Sequence, residues 1–146
     1  MSRSSDATVL VTGSSGFIGS HLSSKLAGRG YSVVGLDVVP PRVSLPPGVE
    51  AIRGDIRDES ELRRILFDKR PNVIYHLAAQ TSVAVSMRDP VVDVEVNVLA
   101  TVQLAHLAAE AGVRRLVFFS TGGSLYGQPQ QLPVDENTVA IPISIY

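Results

Sequence analysis

Three glycines at fixed intervals stand in the run Thr12-Gly13-Ser14-Ser15-Gly16-Phe17-Ile18-Gly19, between a short apolar stretch and a segment with helical apolar spacing. Backbone without side chains at such a junction can bring free N–H groups and the positive end of a helix against an anion. Gly13 permits the tight turn, Gly16 lets the backbone approach a pyrophosphate, and Gly19 lets the helix pack against the strand. Asp37 closes the next β-rich run, about 20 residues on, where a carboxylate can accept hydrogen bonds from a ribose diol. Together these features predict a dinucleotide site. Asp37 would repel a 2′-phosphate and no arginine follows it immediately, so NAD is expected rather than NADP.

The elements that must hold this turn can be read from periodicity. Ala7 to Thr12 is a strand, and Phe17 to Ala27, with Phe17, Ile18, Leu22 and Leu26 at helical spacing, is a helix ended by Gly28 and Gly30. Tyr31 to Leu36 is the second strand, and the four prolines between Val38 and Gly48 make an irregular connection. Val49 to Ile52, Val73 to Leu77 and Leu116 to Phe119 are three further strands, and Glu59 to Lys69 is an amphipathic helix. Val92, Val94, Val96 and Val98 alternate with Asp93, Glu95 and Asn97, as a half-buried strand would. Asp89 as cap and Pro90 at the first position favour a helix instead, unbroken to Gly112 and about 33 Å long at 1.5 Å per residue. Its apolar positions cover more than one face, which predicts a neighbour on each side, and a second copy of the chain is the simplest outer one. Strands alternating with helices imply an α/β fold, a doubly wound parallel sheet of order 3-2-1-4-5 whose ligand lies between strands one and four. All 146 residues are expected to form one such Rossmann domain, incomplete at its C-terminal end.

Composition excludes several function classes. Net charge is −1 with Lys and Arg scattered singly, so no basic stripe exists to bind nucleic acid. Cysteine is absent and His21, His76 and His106 are far apart, leaving no basis for a metal site. Met1 to Asp6 is polar and leads into only three apolar residues, so neither a signal peptide nor a membrane span is expected there, and the protein reads as cytoplasmic.

Further blocks resemble the extended short-chain dehydrogenases/reductases that act on nucleotide sugars, the NAD-dependent epimerase/dehydratase family. Gly13-x-x-Gly16-Phe17-Ile18-Gly19 with a later acidic residue is the first. Gly54-Asp55-Ile56-Arg57-Asp58 resembles the adenine-side motif, in which Asp55 accepts from the adenine amino group and Ile56 packs on the ring. His76-Leu77-Ala78-Ala79-Gln80 resembles the H-x-A-A segment, whose Leu77, Ala78, Ala79 and Gln80 run along the cofactor. Asn97 matches the asparagine of N-V-x-G-T, with Ala100 in place of the usual glycine. Ser120-Thr121-Gly122-Gly123-Ser124-Leu125-Tyr126-Gly127 resembles the block after strand five, its Gly-Gly form being most similar to bacterial UDP-sugar 4-epimerases. Pro142-Ile143-Ser144-Ile145-Tyr146 resembles the segment that carries the Y-x-x-x-K tyrosine.

The resemblance implies Thr121 and Tyr146 as catalytic residues, Ser120 and Asn97 beside the cofactor, a UDP-sugar substrate and a homodimer through the 89–111 helix. Tyr146 would take the proton of the sugar 4-hydroxyl while C4 gives hydride to NAD, and return of hydride to the other face inverts C4. A phenol of ordinary pKa near 10 must drop by about three units to act as base near neutrality, roughly 4 kcal/mol supplied by nearby positive charge. The family's lysine, four residues after the tyrosine, lies beyond the last residue, so these residues alone are expected to show no epimerase activity. Gly122-Gly123 can supply neither acid nor base where the dehydratase branch places an Asp-Glu pair, which disfavours dehydration. Another dehydratase or decarboxylase of the family and a non-catalytic NAD-binding module are the alternatives. Outside these motifs, His76 and His106 read as structural and Phe118 and Phe119 as core. Tyr126 could stack near a sugar or pack below its loop, and Ser86, a single loop hydroxyl, could touch substrate.

Overall fold

The computed structural model describes residues 7–42 and 44–146. The polar start, residues 1–6, and position 43 of the proline-rich connection lie outside the described residues. The chain runs β1 (Thr8–Thr12), α1 (Phe17–Ala27), β2 (Ser32–Asp37), β3 (Val49–Arg53), α2 (Glu59–Lys69), β4 (Val73–His76), α3 (Val83–Arg88), α4 (Pro90–Asp93), α5 (Ala100–Glu110), β5 (Arg115–Phe118) and α6 (Gly122–Leu125). The five strands form one parallel sheet in the order β3-β2-β1-β4-β5, as the right-handed crossover rule predicts. The order reverses between β1 and β4, whose register pairs Thr12 with His76.

Period-two alternation sorts the apolar residues of β1 to opposite faces. Leu10 joins Val34, Leu36 and Ile74 against Leu62, Ile65 and Leu66 of α2 and Leu104 and Leu107 of α5. Val9 and Val11 join Val33 and pack against Leu26 of α1. Helix α2 occupies the predicted residues, its first turn held by Asp58, whose carboxylate accepts from the Glu61 amide at 3.0 Å.

Three expectations need correction. The 82–88 stretch, read as loop, forms α3, because Ser82 caps it through a bond from the Val85 amide. The helix from Pro90 is capped by Asp89 as expected, but between α4 and α5 it passes through π-helical turns at Val94–Leu99. The alternating valines fall in and around these turns, where widened winding breaks the ordinary 3.6-residue period. Phe118 and Phe119 are not core: they are 54% and 41% exposed, because β5 is the edge strand and no described element packs on its far side.

Pro90–Glu110 is the one helix among the described residues long and apolar enough to cross a membrane by length and composition. Its inner face, however, packs through Leu104, Leu107 and Ala108 into the sheet core. Its outer face leaves Val91, Val94, Val98, Leu99 and Val102 exposed.

Candidate active site

The glycine turn sits at the C-terminal end of β1, at the switch point. Gly13 has φ +70°, and a Cβ there would stand 2.7 Å from the Ala78 nitrogen and 2.8 Å from the Leu77 carbonyl carbon. The turn is therefore pressed directly against the segment that leaves β4. At Gly19 a Cβ would stand 2.1 Å from the Gly13 oxygen, so α1 lies on the turn with no room for a side chain. At Gly16 the nearest atom to such a Cβ is the Gly13 oxygen at 3.2 Å. Helix α1 has no side-chain cap and no acidic residue in its first turn. Among the described residues the amides of Phe17, Ile18 and Gly19 meet no backbone acceptor, and they mark the positive end of the helix dipole.

From that helix end opens a cleft of about 610 Å³. It is lined by Gly13, Gly16, Phe17, Ile18 and Gly19, by Asp37, Asp55 and Ile56, and by Leu77, Ala78, Ala79 and Gln80. Asp37 is fixed by its own loop: one oxygen accepts from the Ser15 amide at 2.9 Å, the other from the Val39 amide at 3.1 Å. Each oxygen retains a lone pair for a diol. Asp55 is gripped by Arg57, whose Nη2 stands 2.7 Å from Oδ2 and whose amide donates to Oδ1 at 2.9 Å. The side-chain hydrogen bond from Arg57 holds the Asp55 carboxyl below the usual carboxylate range, against partial burial.

The wall formed by residues 77–80 is set by a directional hydrogen-bond chain. The amides of Leu77 and Ala78 donate to Thr12 Oγ1 at 3.2 and 3.1 Å, and Thr12 donates to His76 Nδ1 at 2.7 Å. Thr101 Oγ1 donates to the Asn97 carbonyl at 2.8 Å and so accepts from His76 Nε2 at 2.9 Å. This order admits only the neutral imidazole protonated on Nε2, and burial lowers the His76 pKa from 6.5 to about 4. His76 is thus structural, as expected. His106 instead lies on the exposed helix surface, with Nε2 3.1 Å from Glu110.

A second cavity of about 220 Å³ adjoins this wall through Ala78 and Ala79. Thr121 and Tyr146, 25 positions apart in sequence, both line it, together with Ser120, Asn97, Asp93 and Ser124. The return of the chain is permitted by Gly127, at φ +57°, where a Cβ would stand 2.3 Å from the Ile141 oxygen. Asn97 uses its carboxamide on the wall itself, accepting from the Gln80 amide and donating to the Gln80 carbonyl, both at 2.9 Å.

A model of the NAD dependent epimerase/dehydratase family matches residues 9–146, all but the first eight positions. The chain belongs to that family. It is 43% identical over 144 residues to a UDP-glucose 4-epimerase of Mycolicibacterium smegmatis and 40% identical over 140 residues to a putative one of Methanocaldococcus jannaschii. In both comparisons the match covers 94% of this chain and 46% of the relative, so the chain spans about half the length of these relatives. Among solved structures it is similar to the Thermus thermophilus UDP-glucose 4-epimerase in complex with NAD, with a TM-score of 0.88 and 43% identity. It is also similar to the Thermotoga maritima enzyme with UDP-glucose, with a TM-score of 0.89 and 38% identity. In each case 95% of this chain and 46% of the other are covered.

Membership of the epimerase/dehydratase family sets the two cavities in one frame. Twelve of the residues singled out by sequence line the larger, while Asn97, Ser120, Thr121 and Tyr146 line the smaller. Two side chains are placed differently than the sequence suggests. The Gln80 carboxamide is spent inside its own loop, on Ser82, Ser86 and Asp93, so only its main chain faces outward. Ser86 is fully buried and bonded to Asp93. Val96, Thr81 and Arg57 also line the larger cleft and went unrecognised. Arg57 had a signal, its place two residues after Asp55, whereas Val96 reaches the cleft only through the fold.

Proposed function

We propose that this chain is the dinucleotide-binding part of an NAD-dependent UDP-sugar 4-epimerase. The observation that carries it is the juxtaposition of an uncapped helix end and a ribose-reading carboxylate in one cleft with a hydroxyl and a phenol in the adjoining cavity. The residues fit NAD: α1 offers free amides to the diphosphate, Asp37 the ribose diol, Asp55 and Ile56 the adenine, and Ala78 to Gln80 the length between. When bound, NAD would accept and return the hydride of the sugar C4. Tyr146 would take and return the proton of the 4-hydroxyl, with the Thr121 hydroxyl bonded to the same oxygen. Gly122 and Gly123, which begin α6 directly after Thr121, carry no acid or base, which favours epimerisation over dehydration. The substrate would be a UDP-sugar, in galactose metabolism and in the cytoplasm.

Isothermal titration tests the first half of this reading. NAD should release heat on binding, with NADP weaker by about tenfold or more, and Asp37→Asn should narrow the gap by about tenfold, since the 2′-phosphate then no longer faces a carboxylate. Equal affinity for the two dinucleotides would reject the ribose assignment. Interconversion of UDP-glucose and UDP-galactose by a protein carrying this sequence at its relatives' length tests the second half.

The proposed assembly is a homodimer through the outer face of the 89–111 helix. Val94, Val98 and Val102, spaced by four, form an exposed apolar stripe suited to an isologous contact. Val102→Glu, 64% exposed in the wild type, should convert a dimer to a monomer in light scattering without lowering the melting temperature of the monomer. An unchanged mass would show that the contact lies elsewhere.

A further inference from the structure

Asp93 ends α4 just before the π-helical turns, and it is only 4% exposed. No cation pairs with it among the described residues. A buried carboxylate without a counter-charge persists only when donors surround it. Here three converge on one oxygen, Oδ1: the Ser86 hydroxyl, the Gln80 carboxamide at 3.1 Å and the Asn97 carboxamide at 3.2 Å. Ser86 in turn accepts from Gln80 at 2.8 Å, and Gln80 Oε1 accepts from the Ser82 amide at 2.6 Å. Asn97, so oriented, clamps the main chain of Gln80 at both its N–H and its C=O.

We infer that Asp93 is a positioning residue: its carboxylate orients Gln80 and Asn97 and thereby fixes the 78–80 segment as the wall between the dinucleotide cleft and the cavity of Thr121 and Tyr146. This rests on the reading of the cleft as an NAD site. Asp93 sets the wall from behind, and its effect reaches the cofactor through main-chain atoms of Ala78, Ala79 and Gln80. The carboxylate suits this task better than a neutral acceptor because charge-assisted hydrogen bonds are shorter and stronger, and one oxygen here must hold three donors.

The test uses the 146-residue chain with two readouts, NAD affinity by titration calorimetry and hydrogen exchange of the Gln80 amide. Asp93→Ala should weaken NAD by about tenfold to thirtyfold and speed exchange at Gln80 by a similar factor. Asp93→Asn keeps an acceptor oxygen and should recover most of both. Leu66→Ala, a core truncation on α2, lowers stability through a cavity and should leave affinity within about twofold. If Asp93→Ala does not fold, Gln80→Met removes one of the three arms and should show a smaller loss of the same paired kind, whereas wild-type affinity and protection in that variant would overturn the inference. Wild-type affinity and wild-type Gln80 protection in Asp93→Ala would overturn the inference, as would an affinity loss matched by Leu66→Ala. If the wild type itself binds no NAD, the cleft assignment fails, and Gln80 exchange alone still decides whether Asp93 holds the wall.

Discussion

Gly19→Ala is expected to weaken dinucleotide binding by at least about 100-fold and to lower the melting temperature by about 4–8 °C. The added carbon would lie 2.1 Å from the Gly13 oxygen and 2.8 Å from both the Gly13 carbonyl carbon and Ser14 Cα. All three are backbone atoms of a turn already pressed against residues 77 and 78, so none can yield as a flexible side chain would. Alanine in place of a helical glycine gains about 1 kcal/mol in propensity. Overpacking against fixed backbone costs about 3 kcal/mol or more, so the clash outweighs the gain. At 2–4 °C per kcal/mol for a domain of this size, a net loss near 2 kcal/mol gives the stated fall. Binding suffers further because relief requires α1 to move away, and its free amides move with it. Controls grade the effect: Gly16→Ala meets the Gly13 oxygen at 3.2 Å and should cost less, and Gly122→Ala meets nothing within 4 Å and should cost least. Calorimetric melting and NAD titration of the three variants would check the order. Equal behaviour of Gly19→Ala and Gly122→Ala would contradict the described packing.

Acidification from pH 7 to pH 4 is expected to remove about 3 kcal/mol of folding stability through His76 alone. Its pKa is lowered from 6.5 to about 4 by burial, so between these values the unfolded chain binds a proton that the folded chain refuses. Stability rises with pH wherever the unfolded state binds more protons. The contribution is therefore intact above pH 6.5, declines as pH falls through the window, and is fully lost below about pH 4. A difference of about 2.5 units at 1.36 kcal/mol per unit sets the magnitude. The hydrogen-bond order gives the same sign from geometry. A second proton on the ring would point at Thr12 Oγ1, which already accepts from two amides and donates its own hydrogen to that nitrogen. Asp55, whose pKa is also lowered, loses its contribution as pH falls through the carboxylate range and so acts at the acid end of the same titration. Urea unfolding at half-unit steps should show the slope, and His76→Gln should flatten it above pH 5. A slope unchanged in that variant would place the proton uptake elsewhere.

The two cavities differ in how far the sequence foretold them. The glycine turn, Asp37 and the sheet order were legible because each depends on local rules: positive φ and close approach select glycine, period-two runs select strands, and right-handed crossovers select the order. Residues 54–58 and 76–80 were legible as motifs, though not the partners of their side chains. Gln80 illustrates the gap. Its motif pointed to the cofactor, whereas its carboxamide turns inward to Ser86 and Asp93, residues whose approach depends on α3, a helix with one serine cap and only six residues. The π-helical turns escaped for a related reason. Alternating valines satisfy a strand period locally, whereas the contacts of that segment with Gln80, made through Asn97, lie far away in sequence.

Local sequence thus determined the turn, the strands and the uncapped helix start at the first crossover, since these need only backbone geometry. Tertiary structure alone decided which residues share the smaller cavity. Thr121 and Tyr146 share a cavity because Gly127 lets the returning chain pass against backbone, and the neutral state of His76 follows from three elements enclosing it. Pairings between distant segments are fixed by shape and by satisfying buried polar groups, and neither leaves a period to read along the chain.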